Sequence, residues 1–240
     1  MNTIQVLTVL IGFFLFSGLY DSTELFAFIR IDMLNEDDQT EADISRLMSD
    51  LQRITGLMLH VEKGYVRVQP DSLKDQNTPS SETARVLFLD ALRSTNVYKI
   101  RIDRGANLGR VLKGDLIELD FLDQKYLRFR GVPPEVFNTS MIFFHELVHR
   151  HLALPDPTID EIRLNRNARG KTVEYMNRIE RELHLPERLH YFPRKNPVPG
   201  SNGFCIYFGT EGKRIEIDAE IFRPLIQKGK NAGYAGLLRN

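Results

Sequence analysis

The sequence predicts an α+β fold, with a small mixed sheet packed on one strongly apolar helix and a second helix following toward the C-terminus. Three observations predict it. Residues 97–103 and 116–122 alternate apolar with polar side chains, the period of a half-buried strand. Residues 136–152 are apolar enough for a buried helix, with Asn138 to Ser140 as caps and Pro155 and Pro157 as stops. Residues 172–183 read as a further helix, closed by Pro186.

Composition sets the outer bounds. A chain of 240 residues suits one large domain, or one domain with an appendage. Its 42% hydrophobic and 27% charged residues are ordinary for a globular protein. The 32 Lys and Arg balance 32 Asp and Glu, which argues against a general nucleic-acid binder. A single cysteine, Cys205, excludes an internal disulfide and any cysteine-rich zinc finger. It lies between Phe204 and Ile206 and is expected to be a small buried residue.

The first unit is residues 1–36. Residues 4–20, IQVLTVLIGFFLFSGLY, carry no charge. As a helix this run spans about 25 Å, short of a ~30 Å hydrocarbon core. No Lys or Arg precedes it, no Ala-x-Ala follows, and Gln5 and Thr8 dilute it. It reads either as buried core or as a membrane anchor or export signal, so membrane contact through residues 4–20 stays open.

The second unit is residues 37–80. Ile44, Leu47, Met48, Leu51 and Ile54 recur at helical spacing, and Gly56 ends that helix. Residues 58–68 predict a hairpin turning at Lys63-Gly64. Residues 70–81, polar and with two prolines, predict a linker or long loop.

The third unit is residues 81–240. Ala84, Leu87, Phe88, Ala91 and Leu92 make the stripe of a helix over 81–93. The strands at 97–103 and 116–122 follow, with a third at 126–129, and Pro133-Pro134 closes this sheet region. Gly105, Gly109 and Gly114 are too sparse for a phosphate-binding loop and are assigned to turns. Residues 192–203 are expected to be irregular, and 204–208 and 214–217 to pair as late strands.

The chemistry concentrates in the apolar helix. His145-Glu146-Leu147-Val148-His149 is a His-Glu-x-x-His motif. Residues four apart lie on one helical face with Cβ atoms about 5–6 Å apart, so both imidazoles can reach one zinc ion. Glu146, about 100° round from His145, can approach a water on that metal and take its proton. His151 points roughly 200° from His149, so it is expected to be exposed or paired with an acid.

This motif resembles the zincin superfamily of zinc metallopeptidases. A second stretch, Glu174 to Tyr191, is similar to the C-terminal signature of bacterial effector- and toxin-type metallopeptidases, roughly Glu-Asn-x-Ile-Arg followed by Leu-Gly-Leu-Pro-x-Arg-x-x-Tyr. The chain keeps Asn177, Ile179, Leu183, Leu185, Pro186, Arg188 and Tyr191. It departs at Met176, Glu180 and His184, where glutamate, arginine and glycine are expected. The resemblance covers residues 138–191. It implies a zincin-like domain, a bacterial chain and a Zn²⁺ cofactor. The sequence leaves cytoplasmic and exported or membrane-associated locations both open.

The resemblance also implies a glutamate as third ligand, supplied by an acidic pair after the motif helix. Asp160-Glu161 is the best match, so Glu161 is favoured; Glu174 is the alternate and Asp156 the weaker candidate. A ligand six residues after His149 would fall on Pro155, against the metzincin arrangement. Tyr191, Arg188 and His190 are candidates to stabilise an oxyanion, Tyr191 foremost. His60 and His184 are assigned to structure or surface.

The expected activity is hydrolysis of peptide bonds in a protein or peptide substrate. Glu146 acts as general base, and the substrate lies along an edge strand at 116–122 or 97–103. A zinc-binding module without catalysis, or an amidase on a non-protein bond, remain the alternatives.

Overall fold

The computed structural model describes residues 29–32, 38–73, 79–103, 109–112, 115–121, 126–198, 201, 203–210 and 212–218. The core-or-anchor reading of residues 4–20 falls outside these. Among the described residues no helix is long and apolar enough to cross a membrane.

The architecture is α+β, with five helices and two sheets among the described residues. Strand β1 (Ile29–Asp32) precedes helix α1 (Asp38–Thr55). Gly56 ends α1 in a left-handed conformation, φ +69°. Strands β2 (Leu57–Glu62) and β3 (Tyr65–Leu73) form the expected hairpin. Lys63 and Gly64 both take positive φ, 51° and 80°, as a tight turn matched to strand twist requires. β3 continues through Leu73, into the stretch expected to be a loop.

Helix α2 (Glu82–Arg93) is followed by β4 (Tyr98–Ile102), β5 (Gly109–Leu112) and β6 (Leu116–Leu119). These complete a six-stranded sheet of order β2-β3-β1-β4-β6-β5. The β1–β4 and β4–β6 pairs are parallel; the others are antiparallel. The sheet draws strands from both sides of residue 80, so the expected boundary there runs through one continuous sheet.

One face of this sheet makes the core. Ile29, Ile31, Leu59, Val66, Tyr98, Ile100 and Ile117 bury there with the helices. On the other face Arg101 bridges Asp32 of β1 at 3.0 Å and Glu118 of β6 at 3.4 Å. Glu118 is buried as well, so β6 is not the half-exposed strand that the alternation suggested.

The edge strand also differs from expectation. β4 lies between β1 and β6, and β6 lies between β4 and β5, so neither 97–103 nor 116–122 is an edge. The edges are β2 and β5, the latter in a stretch expected to hold only turns. Its four residues are too few, and Gly109 too weak a strand former, to give a period.

Strand β7 (Leu127–Arg130) leaves that sheet for a second one of order β7-β10-β9-β8. Its other members are β8 (Arg194–Lys195), β9 (Phe204–Tyr207) and β10 (Arg214–Ile217), all antiparallel. The late pairing of β9 with β10 is as expected. A 3₁₀ turn (Pro134–Phe137) leads into α3 (Thr139–His151), α4 (Ile159–Leu164) and α5 (Gly170–Glu182).

A carboxylate ties the end of α5 to the start of α2. Glu182 accepts from Ser81 Oγ at 2.6 Å, Thr83 Oγ1 at 2.6 Å and the Thr83 N–H at 2.9 Å. Ser81 is also the N-cap of α2, accepting from the Ala84 N–H at 3.0 Å. Burial raises the pKa of Glu182, but these bonds outweigh it and hold the group below its ordinary value.

A group so depressed gives stability that is complete above the unfolded carboxylate range and lost as pH falls through its folded value. Glu182→Gln should therefore cost about 1–2 kcal/mol at neutral pH, the lower range for charged hydrogen bonds because the group stays partly solvated. Urea unfolding at pH 7 and below pH 4 checks this. The gap between variant and wild type should shrink in acid, and equal stability at pH 7 would rule the bridge out.

Candidate metal centre

The His-Glu-x-x-His helix is placed by its apolar face. Asn138 caps α3, accepting from the Met141 N–H at 2.9 Å and donating to Asp50 of α1 at 3.3 Å. Met141 to Phe144, Leu147 and Val148 are buried. Phe143 and Phe144 meet each other at 5.6 Å between ring centroids, and each meets Phe88 of α2 at 6.3 Å. With that face fixed, His145, Glu146 and His149 occupy the half-buried remainder.

The two imidazoles converge. His145 Nε2 and His149 Nε2 are 3.2 Å apart. Two nitrogens bound to one tetrahedral zinc at ~2.0–2.1 Å would lie about 3.3 Å apart. The His149 tautomer is set from behind: its Nδ1 is 2.8 Å from the Leu154 carbonyl, which can only accept. In the neutral ring the Nδ1 proton therefore lies toward Leu154, which leaves Nε2 as the nitrogen a metal can use. The Thr172 hydroxyl of α5 donates to the same carbonyl at 3.0 Å.

The third donor arrives on a tight return. Ala153 takes a left-handed conformation, φ +52°, just past α3. Asp156 follows between Pro155 and Pro157, which disfavour helix and hold the chain extended. Its Oδ2 is 3.2 Å from His149 Nε2, and its Oδ1 is 3.9 Å from His145 Nε2. Tyr191 donates its hydroxyl to Oδ2 at 2.6 Å. Asp156 Oδ1 is buried with no hydrogen-bond partner. One ligand atom from each of His145, His149 and Asp156 lies within 4.8 Å of the others, so the three could hold a metal ion.

The electrostatics fit that donor set. Burial lowers the His145 pKa to about 3, helped by His149, so its lone pair stays free. Burial also lowers that of His149, but the bond and charge of Asp156 outweigh it and raise the net value. Asp156 is raised by burial yet held below its ordinary value by bonds from His149 and Tyr191. Burial pushes Glu146 up to about 7; His149 opposes this and Asp156 adds to it. Two imidazoles and one carboxylate, whose Oδ1 has no hydrogen-bond partner, face one point and form a donor set that catalytic zinc takes.

The other expected site residues fall elsewhere. Glu161 does not join the cluster; Asp156 stands in the place expected for it. Its carboxylate accepts from the Thr158 N–H at 2.6 Å and the Thr158 hydroxyl at 2.9 Å, closing a capping box on exposed α4. Thr158-x-x-Glu161 is the sequence signature of that box, and it was legible beforehand. Glu174 is exposed on α5, whose buried face carries Thr172, Val173, Met176, Asn177, Ile179 and Glu180. Among the described residues His151 pairs with no acid, and its Nδ1 is 2.9 Å from the Tyr98 hydroxyl.

Arg188 donates from Nε to the His190 carbonyl at 3.0 Å and from Nη2 to the Tyr191 carbonyl, with its guanidinium 5.5 Å from the Tyr191 ring centroid. His190 is buried against Tyr207. Burial, with Arg194 and Arg188 nearby, lowers its pKa to about 4. Compared with known proteins, the chain matches no family model, no curated protein and no solved structure.

Sequence reasoning missed Gly170 and Thr172. Gly170 starts α5 with φ +71°, and a Cβ there would sit 2.7 Å from Pro157 N and against Pro157 Cδ. The close approach of α5 to the Asp156-Pro157 turn thus needs glycine. Gly170→Ala should destabilise the fold by about 1–3 kcal/mol and weaken divalent-metal retention by moving Asp156. Chemical denaturation and metal titration check both effects. A variant equal to wild type in each would show that the approach is dispensable.

Proposed function

We propose that the chain is a zinc-dependent metallopeptidase that cleaves peptide bonds. The observation that carries this reading is the convergence of His145 Nε2, His149 Nε2 and an Asp156 oxygen, on and beside the helix that bears Glu146. Among the described residues the cluster has three donors, as in a catalytic zinc site, and not the four of a closed structural one. Zinc in that donor set supplies a Lewis acid that acidifies water and polarises a carbonyl.

The chain's own residues do the rest. Glu146 takes the proton from the attacking water and returns it to the leaving amine. Burial favours its neutral form, so it holds that proton readily between the two steps. The Tyr191 hydroxyl lies at Asp156, and the Arg188 charge is felt by both Asp156 and His145. Arg188 adds positive charge that would offset negative charge on the substrate oxygen, while the Tyr191 proton is engaged by Asp156. Among the described residues β5 pairs only with β6, so its other side would be open to an extended peptide.

Two sets of variants test this. Glu146→Gln should keep stoichiometric zinc and lose hydrolysis of an unstructured protein substrate by about 10²–10⁴-fold. Cleavage as fast as wild type would refute the mechanism, and zinc without any cleavage by wild type would favour a non-catalytic module. Asp156→Ala should abolish tight zinc uptake, whereas Glu161→Ala should leave it intact and lower stability only slightly through the lost cap. The reverse pattern would restore Glu161 as the ligand.

A further inference from the structure

Asn177 belongs to the stretch that resembles the effector-type signature, and nothing in the proposed chemistry uses it. It lies on the buried face of α5, 2% exposed. Its Oδ1 accepts from the Arg188 N–H at 3.0 Å, and its Nδ2 donates to the Arg188 carbonyl at 3.0 Å. One side-chain amide thus satisfies both backbone groups of a residue 11 positions away, as a neighbouring strand would. Glu180, one turn further on, accepts from the same N–H at 3.0 Å.

Arg188 begins the segment that ends at Tyr191. The Arg188 side chain bonds the carbonyls of His190 and Tyr191 and so closes residues 188–191 into a turn. The outside of the turn is held by the Leu189 N–H to the Tyr207 carbonyl at 2.9 Å and by the Tyr191 N–H to the Ala168 carbonyl at 2.9 Å. The Tyr191 hydroxyl then reaches Asp156 at 2.6 Å. A buried amide with its hydrogen bonds made in both directions has one orientation, so the register it imposes on Arg188 is carried to the end of the turn.

We propose that Asn177 is a positioning residue for the metal centre. It clamps the backbone of Arg188 and thereby aims the Tyr191 hydroxyl at Asp156, which orients the carboxylate toward the two imidazoles. This rests on the metal-site reading above. Partners that orient a ligating carboxylate typically change metal affinity by about 10–100-fold when removed.

The test is a double-mutant cycle on the full chain: wild type, Asn177→Ala, Tyr191→Phe and the double variant. Zinc affinity is measured by chelator competition, and metal-free stability by urea unfolding. Asn177→Ala should weaken zinc binding by about 10-fold when Tyr191 is present and by no more than about two-fold when residue 191 is Phe. Equal losses in both backgrounds, or no loss in either, overturn the proposal. Asn177→Asp keeps the shape and the Oδ1 acceptor, replaces the Nδ2 donor and adds a carboxyl group beside Glu180, and it carries the same cycle if the alanine variant does not fold. Should wild type take up no zinc, the metal-site reading fails by itself. The urea series then decides the coupling: a smaller change in the unfolding constant on the Phe background upholds it, and equal changes overturn it.

Discussion

Burial of one face of helix α3 is the constraint on which the rest of the structure depends. Phe143, Phe144, Leu147 and Val148 have no solvent exposure, and they join the sheet, α1, α2 and α5 into a single core. Each such side chain contributes about 1.5–3 kcal/mol relative to exposure, so the four together outweigh any single polar contact at the site. The apolar face therefore decides how the helix is rotated. His145, Glu146 and His149 are left on the opposite side as a consequence.

The polar side is completed by segments that come back to the helix. The Asp156 turn is held between two prolines, pressed by Gly170 and tied through the Leu154 carbonyl to both His149 and Thr172. The turn at 188–191 is held by Asn177, Ala168 and Tyr207. Both rely on α5, whose buried residues fix it against α3. The acidic oxygen, the two imidazoles and the tyrosine hydroxyl meet because three segments share one helical support.

Legibility in the sequence followed the range of the forces involved. The helices at 38–55, 82–93, 139–151 and 170–182 were readable from period and caps, because helix formation is local. So was the β2–β3 hairpin, whose turn residues carry their own signal. β5 was not, since a four-residue edge strand exists only through the partner it pairs with. β7 was readable as a strand but not as a member of the second sheet, because sheet membership is a long-range choice. His184 illustrates the opposite case. The resemblance placed a glycine there, and the backbone is left-handed, φ +57°, at the end of α5. Histidine bears a conformation that glycine would take without strain, at a cost of about 1–2 kcal/mol.

The sequence by itself determined the α+β class, the helix bearing His145, Glu146 and His149, and the exclusion of His151 from their face. All of these follow from spacing along one helix, which 3.6 residues per turn makes calculable. Only the tertiary structure decided the third member of the cluster. Glu161 and Asp156 are both acids beyond the helix, and the resemblance favours the first over the second. The Thr158 hydroxyl and N–H claim Glu161 for a helix cap, while the left-handed step at Ala153 and the contact with α5 turn Asp156 back on His149. A chain reversal of that kind is set by what packs against it, and no period in the sequence encodes it.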